Sequence, residues 1–160
     1  MIKALRVDER LIHGQVAVTW CSQLNITNIV VANDETSTDE VSVISLKMAA
    51  PNGVKVAVKT VKDAITLLKD PRCEKLNILV LCKNPFDALE IVKAVEEVPY
   101  VNVGNFGMLS DKESREMLST SFYINEAERV AFKEIAELKP ESNYQMTPTL
   151  TPQSLSKLVK

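Results

Sequence analysis

The chain holds one histidine, His13, within Asp8-Glu9-Arg10-Leu11-Ile12-His13-Gly14-Gln15, and this segment is the best equipped for chemistry. A histidine that takes up a phosphoryl group needs one ring nitrogen free to attack and surroundings that tolerate the incoming negative charge. Arg10 can set its planar fork on two phosphate oxygens at once. Asp8 or Glu9 can accept a hydrogen bond from the second ring nitrogen and so fix the tautomer and the ring plane. A helix starting near Gly14 and Gln15 would aim unpaired N–H groups at the same place, and Gly14 lacks a Cβ that would crowd a phosphate. The same residues admit a quieter reading, with His13 as a helix-start residue, Arg10 as a surface ion-pair partner and Asp8 as a cap or loop anchor. Spacing alone leaves both open.

The elements that position this segment alternate between strand and helix. Residues 2–7 (IKALRV) form an apolar run that reads as the first strand. Residues 15–24 carry Val16, Trp20 and Leu24 at helical spacing, with Ala17 and Cys21 beside them. Strands are predicted at 28–32, 54–58, 76–82 and 101–103. Ser37-Thr38-Asp39-Glu40 reads as a capping box opening a helix to Ala50, with Val41, Ile44 and Met48 as its buried stripe and Pro51-Asn52-Gly53 as its stop. Further helices are predicted over 60–69 and, with Asn84 as cap and Pro85 at the first position, from 85 to about 97. Past Gly104 the alternation loosens: a helical turn within 110–117, a strand at 119–124, a helix at 126–138, an edge strand at 143–146, and a short last helix capped at Thr151-Pro152.

This order predicts an α/β protein, a single doubly wound domain over residues 1–160, with an open, mainly parallel sheet covered by helices on both faces. Gly14, Gly104 and Gly107 follow strands, so His13 is expected to share the carboxyl edge of the sheet with the Gly104 loop and with Lys83-Asn84. Gly14, Gln15, Lys83, Asn84 and Gly104 are accordingly the candidates for phosphate or loop binding. Exposed apolar area for a partner is expected at Leu11, Ile12 or Phe106.

The remaining composition narrows the classes. A net charge of −2 over 160 residues gives no basis for nucleic acid as a partner. No apolar run reaches the ~20 residues of a membrane span, so membrane contact is expected only through partners. Cys21, Cys73 and Cys82 lack CxxC spacing and read as reduced, buried thiols in a cytoplasmic protein. One histidine and scattered cysteines supply no usual zinc set, so no metal is expected. No GxGxxG follows the first strand and no GxxxxGK[ST] occurs, so no nucleotide cofactor is expected. Cys82 is the only thiol placed to rival His13 as acceptor, and beside it only Lys83 would activate it.

The stretch Arg6-Val7-Asp8-Glu9-Arg10-Leu11-Ile12-His13-Gly14-Gln15-Val16 resembles the IIB component of the bacterial phosphotransferase system, in its mannose/fructose/sorbose branch. Trp20, Val30-Val31-Ala32-Asn33-Asp34-Glu35, Lys47-Met48-Ala49-Ala50-Pro51, Leu81-Cys82-Lys83-Asn84-Pro85 and Asn102-Val103-Gly104-Asn105 extend the likeness over essentially the whole chain. The resemblance implies a cytoplasmic subunit, standing alone, with His13 as phosphoacceptor, Arg10 as the phosphate-stabilising residue and Asp8 at the family's acidic position. It implies a IIA component as phosphoryl donor and membrane IIC and IID components through which the acceptor sugar enters. A regulatory module of the same fold, sensing phosphorylation without passing it on, would carry the same motif.

Overall fold

The computed structural model describes residues 1–109 and 111–160. Seven strands form one sheet in the order β3-β2-β4-β1-β5-β8-β9. The first five are β1 (Ile2–Val7), β2 (Asn28–Ala32), β3 (Lys55–Lys59), β4 (Ile78–Cys82) and β5 (Val101–Val103). These and β8 (Asn143–Tyr144) pair in parallel, whereas β9 (Gln153–Ser154) runs antiparallel at the rim. The sheet is therefore open and mainly parallel, with helices on both faces.

Side-chain alternation sorts the two faces. Ile29, Val31, Leu79 and Leu81 point to one side and pack with Ala17 and Cys21 of α1 (Gly14–Leu24) and Leu46 of α3 (Glu40–Ala49). Val30, Ala32, Ile78, Val80 and Cys82 point to the other. There they meet α4 (Val61–Leu68), α5 (Pro85–Ala94) and α6 (Glu126–Leu138). Strands buried on both sides read as continuous apolar runs, which is why β4 (ILVLC) is so plain in the sequence. Burial of such Val, Leu and Ile side chains stabilises by roughly 1.5–3 kcal/mol each.

Several boundaries differ from the predicted ones. The 37–50 helix is two: α2 (Asp34–Thr38), capped by Asn33, and α3, capped by Asp39. The Asp39 carboxylate accepts from the Val41 N–H and the Ser42 hydroxyl, restarting the helix where a Ser37 capping box was predicted. The predicted stripe of α3 faces outward, with Val41 73%, Ile44 58% and Met48 80% exposed. β3 is the sheet's terminal strand. The sheet therefore ends beneath α3 and buries only Leu46 of that helix. The 119–124 strand is half of an antiparallel hairpin, β6 (Glu116–Ser119) with β7 (Phe122–Ile124). The 143–146 strand is not the edge, because β9 covers it, and α7 (Leu155–Leu158) starts after Ser154 rather than at Thr151. Within the predicted 110–117 turn the structure has a 3-10 turn at Lys112–Ser114, while Ser110 lies outside the described residues.

The connection leaving β1 runs toward β2 and β3, whereas that leaving β5 runs toward β8 and β9. Between the carboxyl ends of β1 and β5 the winding reverses, which is where open α/β sheets leave a crevice. Val7 lies level with Cys82 on one side and Val103 on the other, so Asp8, Lys83 and Gly104 leave the sheet side by side.

Candidate functional site: a histidine held by a buried carboxylate

The loop from β1 to α1 is pinned at both ends. The Asp8 N–H donates to Cys82 O (3.0 Å), the Leu11 N–H to Asp8 O (3.0 Å), and the Glu9 N–H to Asn105 O (2.9 Å). Leu11 takes a left-handed conformation (φ +58°), which costs a side-chain-bearing residue about 1–2 kcal/mol. Burial of Leu11 and Ile12 among the apolar residues beneath α1 offsets that cost. This corrects the expectation that Leu11 and Ile12 form an exposed docking surface. They anchor the loop. Phe106 is also buried, edge-on to Phe132 at 5.6 Å.

With those anchors set, His13 becomes the N-cap of α1, in extended backbone geometry, its side chain 23% exposed. Its Nε2 lies 3.2 Å from Asp8 Oδ2. Asp8 has no exposed surface, and as a carboxylate it only accepts hydrogen bonds, so the contact requires the proton on Nε2 and leaves Nδ1 outside it. Asp8 Oδ2 also accepts from Arg6 Nη2 (3.0 Å) and the Asn105 N–H (3.4 Å), and Oδ1 from the Arg10 N–H (3.0 Å). Burial pushes the Asp8 carboxyl upward, but the hydrogen bond from His13 and the Arg6 charge outweigh it and hold the group below the ordinary carboxylate range.

The surroundings suit an anion. The first-turn N–H groups of α1, at Gly14, Gln15 and Val16, find no partner among the described residues, and no acidic side chain lies in that turn. Unpaired amides and the helix dipole favour negative charge there. Arg10 is exposed, and its guanidinium makes no hydrogen bond or ion pair among the described residues.

The other candidates divide. Gly104 is drawn into the site, but for the sake of the protein: a Cβ there would lie 2.1 Å from Arg6 Nη2 and 2.6 Å from Asp8 Oδ2. Gly14 has open space where a Cβ would stand, so its requirement is the left-handed φ of +49° rather than room. Gln15 is exposed in the first turn. Lys83 is exposed at the end of β4, alongside Asp8 in register. Asn84 is not brought into the hydrogen bonds around His13: it caps α5 through the Asp87 N–H (2.9 Å) and donates to the Asp87 carboxylate (3.2 Å). Glu9 does not reach His13 either, since its carboxylate accepts from the N–H groups of Gly107 and Met108 and ties down the loop after β5. Cys82 is fully buried, and burial drives its thiol well above its ordinary value, so it supplies no thiolate. No group of residues suited to holding a metal occurs among the described residues.

Sequence reasoning missed Arg6, Asn102 and the turn at Gln145–Met146. Arg6, 3% exposed, shares the α1 side of β1 with Ala4, and its guanidinium lies 5.3 Å from the centre of the Trp20 ring. It donates to Asp8, to Asn102 Oδ1, and to the carbonyls of Gln145 and Met146 (both 3.1 Å). Trp20 Nε1 donates to the Met146 carbonyl as well, at 2.8 Å. A charge in a central strand was the available signal.

The model of the PTS system sorbose subfamily IIB component matches residues 2–160. The chain belongs to that family. It is 42% identical to a probable phosphotransferase enzyme IIB component of Streptococcus pyogenes serotype M6, over 99% of both chains. It is 30% identical to the mannose-specific EIIAB component of Escherichia coli K12, over 84% of this chain and 41% of that longer one. The IIB domain of the sorbose permease from Klebsiella pneumoniae superposes with a TM-score of 0.91 at 26% identity, covering 99% of this chain and 96% of that one. The IIB assignment agrees with the α/β fold and with the family read from the RLIHGQV segment.

Proposed function

We propose that this IIB component carries a phosphoryl group on Nδ1 of His13, accepting it from a phosphohistidine of a IIA component and passing it to a sugar entering through membrane IIC and IID components. The observation that carries the reading is the Asp8–His13 hydrogen bond, which occupies Nε2 and leaves Nδ1 as the nucleophile at the sheet's carboxyl edge. As Nδ1 attacks, the new N–P bond forms while the donor's N–P bond breaks, and the donor imidazole keeps the released electron pair. Positive charge spreads over the His13 ring, balanced by Asp8, which still accepts the Nε2–H hydrogen bond. The three phosphoryl oxygens meet the α1 amides and the Arg10 guanidinium. Transfer of this kind is mostly positioning plus charge stabilisation, so a shallow site suffices.

The name of the mannose-specific relative joins IIA and IIB, which supports a IIA partner. Phe86, in the first turn of α5 after Lys83, and Leu109, in the loop that Glu9 ties down, are exposed apolar side chains, and they replace Leu11, Ile12 and Phe106 as the proposed contact surface for that partner. The reading treats residues 1–160 as one cytoplasmic IIB domain that reaches the membrane through IIC and IID. No helix among the described residues is long and apolar enough to cross a membrane.

Incubation with phosphorylated IIA, followed by mapping of the modified residue and ³¹P NMR, tests the proposal. An acid-labile phosphate on Nδ1 of His13, absent from His13→Ala, is the expected result. An unmodified wild-type chain, or a His13→Ala chain that still relays the group to sugar, overturns it.

A further inference from the structure

We infer that Arg6 is a positioning residue of the transfer site, setting the charge and orientation of Asp8 and through it the ring of His13, and that the turn at Gln145–Met146 holds Arg6 for this task. The inference rests on the phosphoacceptor reading above. An arginine buried this deeply needs its donors satisfied, and four acceptors from three separate parts of the chain meet them: Asp8 Oδ2, Asn102 Oδ1, Gln145 O and Met146 O. Only one of the four, Asp8, also touches His13. The other three are neutral, so the positive charge of Arg6 is matched by Asp8 alone among its hydrogen-bond partners. Trp20 lies against the guanidinium and ties its own N–H to the same Met146 carbonyl. Gly104 leaves the space in which the pair meets. A residue needed only for folding would not require this arrangement to converge on the one carboxylate that orients the acceptor ring.

The consequence is electrostatic. With Arg6 present, the Asp8 charge is already compensated when it accepts the Nε2 hydrogen bond. Without Arg6, the His13 ring is the ionisable side chain left paired with the buried Asp8 charge, so the variant should favour the imidazolium, whose Nδ1 carries a proton and cannot attack. The other titratable groups around the pair are few. Arg10 and Glu9 share its loop, Lys83 and the buried, neutral Cys82 end β4, and Tyr100 and Tyr144 flank Arg6 from before β5 and from β8. α1 brings no acidic side chain in its first turn.

The test is single-turnover phosphoryl acceptance from phosphorylated IIA between about pH 6 and 9, spanning the range in which an imidazole titrates. It compares wild type, Arg6→Gln, Asp8→Asn and the double variant, with ¹⁵N NMR of the His13 ring in the unphosphorylated proteins. Arg6→Gln should accept about tenfold more slowly near pH 7 and recover toward the wild-type rate in alkali, because one unit of displacement in the ring's titration is a factor of ten. In the Asp8→Asn background the same substitution should change the rate less than about twofold, with no displacement along the pH axis, as expected of residues acting through one contact. The ring should be Nε2–H in wild type and mixed in Asp8→Asn. Should Arg6→Gln not fold, Arg6→Lys and Trp20→Phe read the same point. The lysine keeps the charge and should slow acceptance at every pH without an alkaline displacement, and Trp20→Phe, which loosens Met146, should slow it about twofold to threefold. Equal slowing by Arg6→Gln with and without Asp8, or a wild-type profile in these variants, overturns the inference. An unmodified wild-type chain would instead overturn the phosphoacceptor reading beneath it.

Discussion

Gly104→Ala tests whether the site is built around a buried ion pair or merely lies near one. The added Cβ would stand 2.1 Å from Arg6 Nη2, 2.5 Å from Arg6 Cζ and 2.6 Å from Asp8 Oδ2, so the guanidinium must retreat about 1.3 Å to reach the 3.4 Å of ordinary contact. It has nowhere to go. Its bonds to Asp8, Gln145 and Met146 are already 3.0–3.1 Å long, and a shift of that size takes one or more of them out of hydrogen-bond range. Overpacking costs about 1–3 kcal/mol, and breaking one side of a buried pair costs about 3–5 kcal/mol, so a loss of about 3–5 kcal/mol is expected. For a chain of this length that lowers Tm by about 10 °C. Gly14→Ala is the matched control, because its Cβ meets open space and only the left-handed φ penalises it, by about 1–2 kcal/mol. Thermal melts and urea midpoints of the two variants decide the matter. A Gly104→Ala protein no less stable than Gly14→Ala would refute the close packing of Arg6, Asp8 and Gly104.

Arg10→Lys should slow phosphoryl acceptance about tenfold or more while leaving Tm within about 1 °C, since the side chain is exposed and its bidentate geometry is lost. A marked loss of Tm would assign Arg10 a structural part instead. The depressed carboxyl of Asp8 stabilises the fold above the unfolded aspartate value of about 3.9, and this contribution is lost as pH falls through the lower folded value. Urea midpoints below about pH 4 should therefore fall more steeply in wild type than in Asp8→Asn, and parallel slopes would contradict the shift. Asn125→Ala removes a two-sided capping box on α6, in which Asn125 and Glu128 satisfy each other's N–H groups, and should cost about 1 kcal/mol by urea titration. Phe86→Asp should raise the KM for phosphorylated IIA without moving Tm, because the ring is half exposed, and an unchanged KM would exclude Phe86 from the contact surface.

The central fold was legible because its strands are buried on both faces and its helices carry local start and stop signals. β1, β2 and β5 fall where the apolar runs put them, and Asn84-Pro85 caps α5 as its residue types require. Reading failed where burial depends on what lies across the sheet rather than along the chain. Val41, Ile44 and Met48 have helical spacing, yet α3 packs at the terminal strand β3, where Leu46 is buried and those three side chains stay exposed. Periodicity reports that a helix has an apolar face, and only topology reports whether anything covers it. The short strands β8 and β9, of two residues each, are set by pairing with β5 and with each other, and so carry almost no pattern of their own.

The site divides along the same line. Asp8, Arg10 and His13 stand out in the sequence because they sit together in a loop, where chemistry-bearing residue types contrast with polar surroundings. Arg6 and Asn102 were passed over because they lie inside strands, where position in a run was taken to settle their role. Yet a guanidinium or an amide in the middle of a parallel sheet has no solvent to satisfy it and must find acceptors within the fold. That requirement is itself a prediction: a polar residue inside a central apolar strand implies a buried partner nearby. In this chain the Arg6 requirement is met by three neutral acceptors and by Asp8, the carboxylate that also holds His13. A substitution that leaves every loop residue intact can therefore still reach the His13 ring through the sheet.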